Sequence, residues 1–113
     1  MAMIAMAMPI APGHEDSWRA WADELAGPRH DDFVASRRAA GVRERTFLQQ
    51  TPMGQLVIVT LEGDDPMAAF AQMMGADDEF TRWFTAGASE AHGVDVSQPM
   101  PGPPPQLVFD TEA

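Results

Sequence analysis

Four polar side chains hold most of the chemistry this sequence offers: His30, Arg37, Glu44 and Glu62. His30 and Arg37 lie two helical turns apart with Phe33 between them, so one stripe carries an imidazole and a guanidinium. There the imidazole is a general base or an axial haem ligand, and the guanidinium holds a carboxylate or enolate oxygen. The structural alternative puts His30 at an exposed helix start after Pro28, with Arg37 reaching past the rim to water. Glu44 and Glu62 come side by side in one register of a hairpin. Neighbouring carboxylates raise one pKa and make a general base or a divalent-cation site. Otherwise they are a solvated pair at the strand ends, neutralised by Arg43 or Arg45.

The other histidines offer less. His92, in "EAHGVD", closes a helix where the dipole favours a cation, and His14 follows a Pro-Gly turn. No histidine has another four residues on, which excludes a His-Glu-x-x-His zinc site, and no metal site is expected. The chain lacks Cys, Lys, Asn and Tyr. Disulfides, thiolate zinc, cysteine nucleophiles and Schiff-base chemistry are therefore excluded. Glycines 54, 63 and 75 stand alone and form no phosphate-binding loop. The net charge is −10, with only seven arginines as cations, so a polyanion such as nucleic acid is repelled. No stretch approaches the ~20 apolar residues of a membrane span. The opening "MAMIAMAMPIAPG" has no basic residues before its apolar run and no cleavage pattern, and reads as the first strand of a cytoplasmic protein.

One domain over residues 1–113 must position these groups. The first strand is expected over Ala2 to Ile10, with neither face polar. "APGHEDSWRAWADELAG" reads as a turn and a helix, with Trp18, Trp21, Ala22 and Leu25 at helical spacing. Gly27-Pro28 breaks it, and a second piece runs from Pro28 to Ala40, ended by Gly41. Val42 to Gln50 and Gln55 to Glu62 are strands joined by "TPMGQ". Its letters suit a three-residue turn with a bulge, pairing Leu48 with Ile58, Thr46 with Thr60 and Glu44 with Glu62. A two-residue turn places Arg43 opposite Glu62 instead; the turn letters favour the bulged register. Asp65 and Pro66 start a further helix, which Gly75 interrupts. Asp77 or Asp78 caps its continuation to His92, where Phe80, Trp83 and Phe84 supply the inner face. The Pro-rich segment 98–105 crosses the surface before a last strand, "QLVFD".

Strand, helix, strand, strand, helix, strand is the ferredoxin-like βαββαβ order, an α+β fold with a four-stranded antiparallel sheet and its helices on one face. The first and third strands are apolar on both sides. A single chain leaves one such side wet, and a homodimer pressing two sheets together covers it.

Through "AMPIAPGHEDSWRAW", the hairpin "RERTFLQQTPMGQLVIVTLEG" and "DEFTRWF", most of the chain resembles the dimeric α/β-barrel superfamily, in a branch related in fold to antibiotic-biosynthesis monooxygenases. That resemblance implies two ferredoxin-like subunits with paired sheets. Superfamily members include cofactor-free monooxygenases, haem-degrading and haem-binding enzymes, isomerases, and proteins without known activity. No catalytic motif of any of them can be placed on this chain.

The expected function is binding of a small apolar or aromatic molecule between helices and sheet, without a dedicated cofactor. The pocket is expected to use Trp21, Phe33, Thr46, Leu48, Ile58, Thr60, Phe80 and Trp83, with His30 and Arg37 as polar handles. Oxygenation, isomerisation or cyclisation all suit such a site. The alternatives are haem binding through His30 or His92, and a non-catalytic structural or regulatory dimer.

Overall fold

The structure, a computed structural model, describes residues 2–99 and 102–112. Seven elements follow in order: β1 (Ala2–Pro9), α1 (Glu15–Ala26), α2 (His30–Ala40), β2 (Val42–Thr51), β3 (Gly54–Gly63), α3 (Pro66–Gly75) and α4 (Glu79–His92). The caps have visible causes. The Asp65 carboxylate accepts from the Ala68 amide at 3.1 Å, with Pro66 opening α3 behind it. Asp78 accepts from the Thr81 amide at 2.8 Å and starts α4. Backbone bonding holds the Asp78 carboxyl below the usual carboxylate range, with the Thr81 amide as the main cause. Gly41 and Gly93 end α2 and α4 in the left-handed region (φ 74° and 70°), where a side chain would be strained.

The sheet is antiparallel, in the order β1-β3-β2, with β3 in the centre. The hairpin takes the two-residue turn, not the bulged one: Thr51 pairs with Gly54, and Arg43 with Glu62. Two interactions outweigh the turn letters. The Thr51 hydroxyl accepts from the Met53 amide (3.1 Å) and donates to the Gly54 carbonyl (2.7 Å), closing the tight loop. At the other end, Glu62 lies across from Arg43 and forms an ion pair with Arg45. The correction moves side chains, because a one-residue slip reverses every face. Glu44 stands opposite Leu61 and not opposite Glu62, so the expected carboxylate pair does not exist.

One face carries Ile4, Met6 and Met8 of β1, Val57, Val59 and Leu61 of β3, and Val42, Glu44, Thr46 and Leu48 of β2. All four helices lie on this side. α2 packs on β2 and α3 on β1 and β3, whereas α1 and α4 pack chiefly on each other. Val57 and Leu61 are the most buried side chains of the core. The opposite face carries Met3, Ala5 and Ala7, Leu56, Ile58 and Thr60, and Phe47, with Arg43, Arg45 and Glu62 at one end. No described element covers it, and Met3 and Phe47 remain 52% and 53% exposed.

The expected fourth strand does not form in the single chain. Residues 103–110 belong to no helix or strand, and Leu107, Val108 and Phe109 are 70%, 72% and 85% exposed. Three consecutive prolines, 103–105, precede them; with no amide N–H to donate, they cannot extend a ladder. Met100 and Pro101 of the Pro-rich segment lie outside the described residues.

α1 meets α4 where Trp21 crosses Gly87. A Cβ at position 87 would stand 2.6 Å from the indole Nε1. Gly87→Ala should therefore destabilise the fold by about 1–3 kcal/mol through overpacking. Gly75, at the end of α3, has nothing within 4 Å of the same construction. Gly75→Ala should be neutral or stabilising by up to about 1 kcal/mol. Urea titrations of both variants check the contrast.

Candidate functional site

Because α1 and α4 rest on each other and not on the sheet, a cavity of about 400 Å³ remains beneath them. The floor is Met6 and Met8 with Val57, Val59 and Leu61; the roof is Trp18, Trp21, Leu25, Phe33 and Phe84; Phe70, Met73 and Met74 of α3 close one side. Of the residues lining it, Ala26, His30 and Thr46 are exposed, so the mouth opens between the α1–α2 corner and the β2 edge. The lining is overwhelmingly apolar, with few polar groups, as ligand pockets commonly are.

The strongest of those groups is an ion pair. Arg37 Nε donates to Glu44 Oε1 at 2.8 Å, and both side chains are 8% exposed. Arg37 Nη1 also donates to the Ser36 hydroxyl at 2.9 Å. Its guanidinium lies 4.8 Å from the Phe33 ring centre and 4.6 Å from that of Phe84. Two aromatic faces and one carboxylate thus replace the water the cation gave up. The pair ties α2 to β2 and is neutral as a unit. Arg37 does not reach past the rim to water, and its charge is already matched before any ligand enters.

The second group is His92. Its Nδ1 lies 2.9 Å from the Pro9 carbonyl oxygen, which can only accept, so Nδ1 is the donor. The third is indole. Trp18 Nε1 and Trp21 Nε1 are buried without a hydrogen-bond partner, and both rings line the cavity. The Trp21 edge is held against Gly87. Around these rings Phe33, Phe80, Trp83 and Phe84 form a continuous aromatic cluster with centroids 5.9–6.4 Å apart. Arg29 clamps its outer side: it chelates the Glu79 carboxylate (3.0 and 2.9 Å) and stacks 4.4 Å over Trp83. The Arg29 hydrogen bonds hold the Glu79 carboxyl below its ordinary range.

The structure brings His30, Arg37, Glu44, Trp21, Phe33 and Thr46 together on the cavity. His30 stands at the mouth, exposed, at the first residue of α2. Leu48, Phe80 and Trp83 are on the helix side but belong to the packed surround. Ile58, Thr60 and Glu62 point to the opposite sheet face, which removes them from the pocket; the register explains all three. Thr60 Oγ1 is buried there without a partner. The sequence points to His92 only as a helix-end cation or a haem ligand, and the expected pocket lacks Trp18 and the Met-rich floor. Alternation along β1 and β3 carried the floor's signal, whereas nothing local to "EAHGVD" points at Pro9. Among the described residues no cluster of three metal-ligating side chains occurs.

Removing one partner of the buried pair strands the other charge. Glu44→Gln or Arg37→Met should each cost about 3–5 kcal/mol. The double variant Arg37→Met/Glu44→Leu should lose less than either single one. Thermal or urea unfolding of the three variants gives the double-mutant cycle.

Compared with family models, with curated proteins and with solved structures, the chain matches none.

Proposed function

We propose that this chain is a homodimeric barrel protein that binds a small, mainly apolar or aromatic molecule beneath its helices. The observation that carries the reading is the 400 Å³ cavity, lined by Trp, Phe and Met with a neutralised ion pair at one side. A cavity of this size is within the range of small-molecule sites, and an apolar void of that volume lowers stability unless something fills it. The order β1-β3-β2 is the one the ferredoxin-like arrangement requires of its first three strands, with the outer edge of β1 left for a fourth. The uncovered sheet face and the apolar run Leu107, Val108 and Phe109 are both surfaces that a second copy would bury. Oxygenation, isomerisation and cyclisation of the bound molecule are all compatible with such a site. A haem reading has one supporting feature: the His92 ring, oriented through Nδ1, leaves Nε2 free in the way a ligating histidine needs.

Trp18 and Trp21 on the lining make the binding reading testable by fluorescence. Bicyclic aromatic compounds should quench the emission saturably. Ala22→Leu, which pushes a larger side chain into the cavity, should weaken binding at least about tenfold. Unchanged emission across a broad panel contradicts the reading, and a sharp Soret band with haemin, lost in His92→Ala, would favour the haem alternative.

A further inference from the structure

An open sheet edge invites pairing, and strands at edges are commonly guarded by charges, prolines or bulges. The two edges of this sheet differ in that respect. β2 carries Arg43, Glu44, Arg45, Gln49 and Gln50 along its length. β1 carries no charge at all, and Pro9 at its end is the sole guard. The Ile10 amide donates to the Gln55 carbonyl at 3.0 Å, which fixes the parity of the ladder. Ile4, Met6 and Met8 therefore bond to β3, whereas Met3, Ala5, Ala7 and Pro9 turn their backbone groups to the edge. The Pro9 carbonyl is met there by His92. No described residue bonds the outward N–H and C=O groups of Met3, Ala5 and Ala7, and all three residues are exposed.

One segment of the chain has the complementary need. Residues 106–110 are as long as the open stretch 3–7 of β1, belong to no helix or strand, and hold Leu107, Val108 and Phe109 in water. With the centres of the two stretches opposed, Val108 meets Ala5 on the outer face. Leu107 and Phe109 then lie beside Ile4 and Met6 on the helix side, whichever way the segment runs. The segment's own β1 is poorly placed to receive it. α4 already ends beside that edge, with the Ala11 amide bonded to the Ala91 carbonyl at 2.8 Å. A strand added within the same chain would start there, after a connection of about 2–6 residues. Residues 93–105 intervene instead, thirteen positions with five prolines. Pro-rich chain is an extended, semi-rigid spacer of about 3.1 Å per residue, and three prolines stand directly before the segment. In the single chain the segment pairs with none of the described strands.

On the reading of the chain as a homodimer, we infer that the two copies exchange arms: residues 106–110 of each pair with the open edge of β1 in the other. The arm supplies the fourth strand in trans, and the Pro-rich spacer is the reach between copies. Because the chain has no cysteine, disulfide trapping tests this on a clean background. Residues directly opposite on such a ladder have Cα atoms about 5.5 Å apart, within the range a disulfide spans. Ala5→Cys and Val108→Cys chains, one of them labelled with nitrogen-15, are unfolded and refolded together, oxidised, and mapped by mass spectrometry. Each chain then carries one thiol, so a link between positions 5 and 108 joins two copies, and it should be the dominant disulfide. The double variant Ala5→Cys/Val108→Cys, oxidised alone, should run at twice the mass of one chain. A 5–108 link found only within single chains of the double variant overturns the inference, since the arm then closes its own edge. Absence of the link from both samples overturns it too. If the wild-type chain still sediments at twice its mass, the homodimer reading survives that failure; a single-chain mass removes both.

Discussion

A three-stranded sheet has two faces, and this chain has helices for only one. That shortage organises the molecule. Strands β1 and β3 alternate without becoming polar on either side, so Val57, Val59 and Leu61 face the helices while Leu56, Ile58 and Ala5 face away. The inner face gains a helical layer, a core and a cavity. The outer face gains Arg43, Arg45 and Glu62 at one end and, among the described residues, no covering element over the rest. Folding is driven by removing apolar area from water at roughly 25 cal/mol per Å², and an outer face of this kind leaves some of that gain unrealised. The proposed second copy recovers it, and the exposed run Leu107, Val108 and Phe109 adds to the surface available.

Within the inner layer, size mismatch makes the cavity. Trp18, Trp21, Phe33 and Phe84 fill the space between α1, α2 and α4, and they hold α1 and α4 against each other and off the strands. Methionines 6, 8, 73 and 74 then line the gap with side chains that adapt to shape at small energetic cost. The Arg37–Glu44 pair fixes the β2 side without leaving net charge, and the Pro9–His92 bond ties the end of α4 to β1. The cavity that results is lined mostly by apolar side chains, with few polar groups among them.

How much of this the sequence made readable differs from element to element. The caps at Asp65 and Asp78, the glycine stops at 41 and 93, the break at Gly27-Pro28 and the two-faced strands were all local signals, and each formed as its local chemistry requires. The hairpin register was not decided locally. "TPMGQ" suits a bulge, but the Thr51 hydroxyl closes a tighter loop and charges at the far end of the strands hold that register. Two expected pocket residues, Ile58 and Thr60, and the candidate catalytic Glu62 fell to the outer face through that single slip. The last strand is a different case: "QLVFD" has strand-like letters, yet a strand exists only with a ladder partner, and after three prolines this segment pairs with none of the described strands. The bond from His92 to Pro9 was not legible, because its partner stands eighty-three residues away and long-range partners leave no periodicity to read.

Sedimentation equilibrium of the purified chain at micromolar concentration tests the central claim most directly. If the uncovered sheet face is closed by a second copy, the particle has twice the 12.3 kDa mass of one chain, and Phe47→Glu, a charge on the β2 strand of that face, returns it to a single chain. A wild-type particle of 12.3 kDa, well behaved across the same range, contradicts the paired-sheet architecture.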